Sequence, residues 1–258
     1  MAVHPEHTLG FLAGGYKNVA QLKGIALPEP PAKSPYNSIL IGWDAADWDI
    51  ALLFLQSGKL PALATLMDAG VRANLATLDP PISPMLWTSV ATGNWPSKHG
   101  IHGFTELHEG SVRAVRGSSV ILPTHLDYLE SAGIPATSVA WWPSHPAQPS
   151  AHGAYRISNL AASESGQWLA EGIVPEQHKE VLASLMLQPE EVPAQAVASF
   201  FPGMDLDSSD DVVRSVLKIL THALNVHILA TFALDFGPGG HASIYFDELD
   251  HFMHLGMR

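Results

Sequence analysis

The stretch LDPPISPMLWTSVATGNWPSKHGIHG, Leu78–Gly103, combines a proline-rich break with a short amphipathic segment. The DPP at 79–81 is predicted to end any helix or strand that precedes it, because proline fixes φ and has no backbone N–H to donate. Ser83 stands directly before Pro84, which suits the first turn of a helix, so Ser83 is predicted to lie at or next to a helix N-cap. Converging N–H groups and the helix dipole favour an oxyanion there. The pattern fits either a nucleophile turn or an ordinary capping serine.

Two further stretches end in acidic residues. SILIGWD, Ser38–Asp44, is an apolar run typical of a strand buried in a parallel sheet. It delivers Asp44 to the carboxyl end of the strand, where open α/β sheets place ligands, although an Asp there can also simply cap a helix. IYFDELDHFMH, at 244–254, ends in acids and histidines. If this end is helical, Asp250 and His254 share one face and form a carboxylate–imidazole pair that suits zinc, manganese or iron.

The remaining pattern predicts an α/β fold in which strands alternate with helices. Residues 1–35 are predicted to be a leader with a proline-rich, linker-like end, and 36–258 to be the main domain, with a variable insertion at about 163–206. We expect helices near 49–57, 62–69, 124–132, 175–187 and 208–232, strands at 73–78, 137–142 and 243–246, and a hairpin-like region before 119. His99 and His102 are predicted to be packing or turn residues.

Composition excludes several classes of protein. The formal net charge of −12 over 258 residues provides no basic footprint for a nucleic-acid polymer or an anionic membrane. The absence of cysteine excludes disulfides, thiolate catalysis and cysteine-type zinc sites. No apolar run approaches the roughly 20 residues of a membrane span, and the N-terminus lacks the features of a signal peptide. We therefore expect a cytoplasmic protein without a membrane span.

Taken together, the three stretches resemble the alkaline phosphatase superfamily, most closely its type I phosphodiesterase / nucleotide pyrophosphatase branch. The resemblance rests on the strand followed by Asp44, on Ser83 about ten positions before Thr92-Gly93, on the P-x-x-HGI that starts at Pro96, and on the D-x-x-D-H-x-x-H at 247–254. It covers roughly Ser38 to the C-terminus. It implies a three-layer α/β/α fold with a mostly parallel central sheet, C-terminally incomplete.

The resemblance also implies a mechanism and its residues. Asp250 and His254 correspond to ligands of one divalent metal ion, and Asp44 and Ser83 to ligands of a second; zinc is expected, with manganese or iron as alternatives. The implied reaction is phosphoryl transfer from a small-molecule phosphate ester to Ser83, followed by hydrolysis of the phosphoserine. Ser83 and Asp44 are then expected within hydrogen-bond or coordination reach. Asp247 and His251 would orient the ligands or would be simple surface residues.

Two departures from the family pattern leave alternatives open. Leu86 stands where phosphodiesterases of this branch often have a phosphate-contacting Asn, which weakens the case for nucleotide substrates. The chain stops at Arg258, without the S-D-H-G-like segment and final His that complete both metal sites in the family. We therefore expect low activity, an exposed sheet edge and self-association into a homo-oligomer. A non-catalytic binding module is one alternative; a sulfatase is another, disfavoured by Met85 and Trp87.

Overall fold

The structure, a computed structural model, describes residues 8–32, 35–161, 170–192, 197–198 and 210–256. Its centre is a sheet of five strands in the order β1-β7-β4-β5-β6. These are β1 (Tyr36–Trp43), β4 (Ala136–Val139), β5 (Arg156–Ile157), β6 (Ile173–Val174) and β7 (Gly240–Phe246), while β2 (Thr105–His108) and β3 (Ser111–Ala114) form a separate hairpin. All pairings in the large sheet are parallel except β5 with β6. The predicted α/β class is confirmed.

Ten helices surround this sheet in the described part of the chain. They are α1 (Thr8–Leu12), α2 (Tyr16–Lys23), α3 (Trp48–Gln56), α4 (Pro61–Ala69), α5 (Ser83–Thr92), α6 (Pro96–His99), α7 (His125–Ser131), α8 (Lys179–Leu185), α9 (Asp211–Phe236) and α10 (Glu248–Gly256). The helices begin and end at residues that commonly cap helices. The Asp210 side chain accepts hydrogen bonds from the backbone N–H groups of Val212 and Val213 at the start of α9, and Gly93 ends α5 in the left-handed conformation with φ 66°.

The long helix α9 is the centre of the hydrophobic core. Phe232 and Ile228 are fully buried, and the ring of Phe232 contacts that of Tyr16 at a centroid distance of 5.1 Å. By length and composition α9 could cross a membrane, as could the bent pair α3 and α4 taken together; 67% of the apolar stretch of α9 is buried inside the fold. Polar residues such as Thr221 and Asn225 interrupt the run in the sequence. For that reason the sequence alone did not suggest a span.

The N-terminal segment does not behave as a leader where the structure describes it. Helices α1 and α2 place the side chains of Leu12 and Val19 in the main core, where both are 0% exposed. Tyr16 donates a hydrogen bond through its hydroxyl to Asp235 Oδ2 at 2.8 Å, which ties α2 to α9. The sequence around α2 resembles a linker, but the apolar face of α2 packs against α9, which is distant in the chain: Tyr16 and Asp235 are 219 positions apart.

Two sequence predictions on the other side of the sheet need correction. Residues 73–78 form no strand, and Leu75 is 89% exposed. β1 was expected to be buried, yet Ile39 and Ile41 are 52% and 58% exposed. The two findings are connected, because residues 73–78 do not pair with the free edge of β1. Within the described residues β1 pairs only with β7 and forms an edge of the sheet. The predicted insertion at 163–206 is described only in part, and it contains β6 and α8.

A line of histidines and serines crosses the sheet near the amino ends of β1 and β7. Ser38 Oγ lies 2.7 Å from His241 Nδ1, and His241 Nε2 lies 2.8 Å from Ser243 Oγ. Ser243 Oγ is in turn 2.7 Å from His125 Nε2, and His125 Nδ1 lies 3.2 Å from the carbonyl oxygen of Ala91. Burial lowers the pKa of both histidines. This His–Ser network therefore joins β1, β7, α7 and α5 with neutral imidazoles.

The centre of the network gives a stability prediction. Replacing Ser243, which is 0% exposed, with Ala leaves one nitrogen of each histidine without its partner. We expect Ser243→Ala to lower the free energy of unfolding by about 1–3 kcal/mol, the cost of leaving buried polar groups unsatisfied. Urea denaturation measures this loss. The exposed Ser97→Ala is the matched control and should change little; an equal effect of the two variants would contradict the prediction.

A second prediction concerns pH. Because the folded-state pKa of His125 and His241 is below the ordinary value of 6.5, their contribution to stability is complete above pH 6.5 and is lost as the pH falls through the folded-state pKa. We expect the urea midpoint to fall between pH 7 and pH 5. In His241→Gln that fall should be smaller, whereas the exposed His108→Gln should keep it. A wild-type pH dependence in His241→Gln would show that this network does not titrate.

Candidate active site

Asp44 lies at the carboxyl end of β1, as the sequence predicts. Its backbone N–H donates to the Phe246 carbonyl at 2.9 Å, which continues the pairing of β1 with β7 by one residue. Its Oδ2 accepts a hydrogen bond from the hydroxyl of Tyr245 at 2.7 Å, and its Oδ1 accepts one from the backbone N–H of Ala45 at 3.0 Å. Ala45 has the left-handed φ of 56°, which turns the chain sharply away. The carboxylate is therefore fixed beside the end of β7.

Asp250 and His254 lie one turn apart on α10, which begins one residue after β7. The predicted helical spacing is confirmed, because His254 Nε2 lies 3.4 Å from Asp250 Oδ2. The side chain of His254 is 73% exposed and that of Asp250 is 31% exposed, so the pair opens to solvent.

The acids near these strand ends influence one another. Burial raises the pKa of Asp250, and the charge of Asp44 raises it further. Burial also raises the pKa of Tyr245, and the charges of Asp44, Asp247 and Asp250 add to that effect. The charges of Asp44 and Asp250, which come from distant parts of the chain, therefore both act on Tyr245. Such a concentration of carboxylates fits a bound cation, and the carboxylate and imidazole donors suit a divalent transition metal.

Helix α5 starts at Ser83, but the N-cap is Ile82, so Ser83 is the first helical residue and not the cap. Within the described residues, no hydrogen bond joins Ser83 to Asp44. The two are linked indirectly, because Trp87 lies one helical turn after Ser83 and its ring packs against that of Tyr245 at a centroid distance of 4.8 Å. Tyr245 in turn holds Asp44. The expected coordination reach between Ser83 and Asp44 stays a prediction.

His99, in the helix after α5, has a structural role, as predicted. It is 0% exposed, its Nε2 lies 2.9 Å from Ser89 Oγ, and its Nδ1 accepts from the backbone N–H of Ile101 at 3.2 Å. Both ring nitrogens are used, so His99 is unavailable to a metal ion. Trp141 and Trp142 line a cavity of about 180 Å³ beside Thr88.

Several residues around the site were not predicted from the sequence. The role of Tyr245 in holding Asp44 depends on a contact across 201 positions, for which the sequence carries no local signal. His222 carries no local signal of a site in the sequence, yet its Nδ1 lies 4.0 Å from Asp247 Oδ1. Glu248 follows Asp247, is only 6% exposed, and has a pKa raised to about 8 by burial and by the charge of Asp247.

The mostly parallel sheet, its helical layers and the acidic strand ends define an α/β protein compatible with the alkaline phosphatase-like fold. Residues 38–256 match the model of the family described as type I phosphodiesterase / nucleotide pyrophosphatase, and the chain belongs to this family. The match is consistent with the alkaline phosphatase superfamily, and at the level of the family it supports metal-dependent hydrolysis of phosphate esters. Neither a curated protein nor a solved structure matches the chain.

The contact between α5 and β1 can be tested at Gly42. A Cβ atom at this position would lie 2.6 Å from Trp87 Cζ3 and 3.0 Å from Cη2. We expect Gly42→Ala to lower the free energy of unfolding by about 1–3 kcal/mol, because the indole must move out of a packed site. Urea denaturation checks this, with Gly103→Ala, whose added Cβ meets nothing within 4 Å, as the matched control. Equal stability of the two variants would mean that α5 does not pack on β1 as described.

Proposed function

We propose that this chain hydrolyses small-molecule phosphate esters, mono- or diesters, with Ser83 as the nucleophile and two divalent metal ions as cofactors. The observation that carries the proposal is the approach of Asp44, which the Tyr245 hydroxyl holds at the end of β1, to the first turn of α10, where burial and the charge of Asp44 raise the pKa of Asp250. The family match over residues 38–256 supports phosphate esters as the substrate class.

The proposed ligands divide between the two sides of the site. Asp250 and His254 would hold one ion, and Asp44 with Ser83 would hold the other. When bound, such ions neutralise phosphate charge, favour the serine alkoxide and stabilise the leaving oxygen. The family's metal dependence and the cluster of acids and imidazole both support this assignment. Zinc suits these donors best, with manganese or iron as alternatives.

The chain's own groups then perform the transfer. The Ser83 hydroxyl gives its proton to solvent, and its oxygen forms a bond to phosphorus while the bond from phosphorus to the leaving oxygen breaks; that oxygen takes up a proton from solvent and departs as the alcohol. Water next attacks the phosphoserine, which releases inorganic phosphate or a phosphate monoester and restores the Ser83 hydroxyl. The first turn of α5 assists, because its unpaired backbone N–H groups and the helix dipole favour a negatively charged phosphoryl group beside Ser83. Tyr245 contributes by holding Asp44 in place.

The net charge of the chain and the residue at position 86 indicate how the substrate is held. An acidic chain with a net charge of −12 attracts a phosphate ester only where bound cations reverse the local potential. Leu86 stands on the first turn of α5 at the position from which an amide could contact the phosphate. The substrate is therefore expected to be held mainly through its phosphoryl group, with little discrimination between nucleotides and other esters.

Turnover of p-nitrophenyl phosphate and bis(p-nitrophenyl) phosphate tests the proposal. With zinc or manganese added, we expect Ser83→Ala to lower kcat/KM by at least about 10³-fold, as loss of a nucleophile does. Ser97→Ala, an exposed serine, should retain full activity. Turnover that persists in Ser83→Ala would remove Ser83 as the nucleophile. An inactive wild-type chain with every metal tried would favour the binding module.

Metal affinity provides a separate test. We expect Asp250→Asn and His254→Ala each to weaken binding of zinc at the active site about 10- to 100-fold or more, since changes to supporting residues alone cost that much. Two protein ligands for each ion is fewer than the three or four of tight sites, so turnover should still rise at metal concentrations that saturate typical zinc enzymes. Calorimetric titration measures the affinities. Unchanged affinity in both variants would exclude α10 as a metal-binding element.

A further inference from the structure

A second group of side chains that could hold a metal ion lies at the junction of α9, β7 and α10. His222 belongs to the middle of α9, Asp247 connects β7 to α10, and Glu248 is the first residue of α10. One donor atom from each of the three residues lies within 4.8 Å of the other two. The group shares no residue with Asp44, Ser83, Asp250 or His254.

The burial of these side chains sets them apart from an ordinary acidic surface. The side chain of His222 is 9% exposed and that of Asp247 is 17% exposed, while Glu248 is 6% exposed. Oε1 of Glu248 and Oδ1 of Asp247 are fully enclosed, and neither makes a hydrogen bond to any residue that the structure describes. Buried carboxylate oxygens are normally satisfied, because leaving one without a partner costs about 1–3 kcal/mol and more for a charged group. These two oxygens therefore point to a ligand.

The spacing of the donors suits an ion better than direct contact. The 4.0 Å between His222 Nδ1 and Asp247 Oδ1 is too long for a hydrogen bond. A zinc ion about 2.0–2.2 Å from each donor holds tetrahedral ligands about 3.3 Å apart, so the observed spacing needs only small side-chain movements to close around it. A cleft of about 290 Å³ lined by Lys218, His222, His251 and His254 offers a path from solvent.

We propose that His222, Asp247 and Glu248 bind one divalent cation of the zinc class, as a structural site distinct from the proposed catalytic ions. One imidazole and two carboxylates satisfy such an ion, with water completing the coordination. The ion neutralises two adjacent buried carboxylates, and it fastens α9 to the start of the helix that carries Asp250 and His254. It supplies no chemistry to the reaction, and the site does not depend on whether the chain is catalytic.

The test uses the double variant Asp250→Asn/His254→Ala, which lacks the α10 ligands of the proposed active site. We expect calorimetric titration with zinc alone to show one tightly bound ion per chain, because Asp44 and Ser83 alone offer only two ligands for an ion, and we expect zinc to raise the melting temperature. Adding either Glu248→Gln or His222→Gln should lower zinc affinity at least about 100-fold and abolish the thermal shift. The matched controls are Glu180→Gln, an exposed glutamate on α8, and His227→Gln, on the same helix as His222; neither should have an effect.

Cobalt(II) provides a second readout that requires no change at His222. In the double variant a visible absorption band of a four- or five-coordinate ion is expected, and Glu248→Gln should remove it. Absence of bound zinc from the folded double variant would overturn the proposal, as would zinc binding that survives both Glu248→Gln and His222→Gln. Loss of phosphate-ester hydrolysis in Ser83→Ala, or its absence from the wild type, bears only on the catalytic proposal.

Discussion

The parallel pairing of β1 with β7 is the constraint on which the site depends. Gly42 lies opposite Tyr245 and Trp43 opposite Phe246, so the two strands end at the same level. This register places Asp44 where the Tyr245 hydroxyl can reach it, and it directs α10 away from the same edge. A slip by one residue would turn Tyr245 to the opposite face, because side chains alternate along a strand. Tyr245 could then no longer hold Asp44 beside the start of α10.

Local patterns in the sequence predicted the parts of the site that a single element creates. An apolar run followed by an acid gave β1 and the position of Asp44, and a spacing of four gave the shared face of Asp250 and His254. These signals are readable because they depend on strand and helix geometry alone. The start of α5 was also predicted, because Ser83 lies next to the N-cap Ile82; a proline after Ser83 marks a helix start without deciding which residue caps it.

Features that depend on contacts between distant parts of the chain could not be predicted from the sequence. The apolar residues at 73–78 resemble a strand, but a strand forms only by pairing with a neighbour, and this segment does not pair with the free edge of β1. Residues 8–23 resemble a leader until α9 supplies the surface that buries Leu12 and Val19. The approach of His222 to Asp247 likewise requires α9 to lie across the end of β7. In each case tertiary packing overrides the local pattern.

The His–Ser network has a built-in direction. A carbonyl oxygen can only accept, so the one at Ala91 obliges His125 to carry its proton on Nδ1 and to accept from Ser243 through Nε2. The Ser243 oxygen then accepts from His241 Nε2, which leaves His241 Nδ1 to accept from Ser38. Every proton position follows from that single acceptor. Neither imidazole ring can therefore change its tautomer alone. Reversing the hydrogen bond at Ser38 would require every hydrogen bond between β1 and α5 to reverse as well.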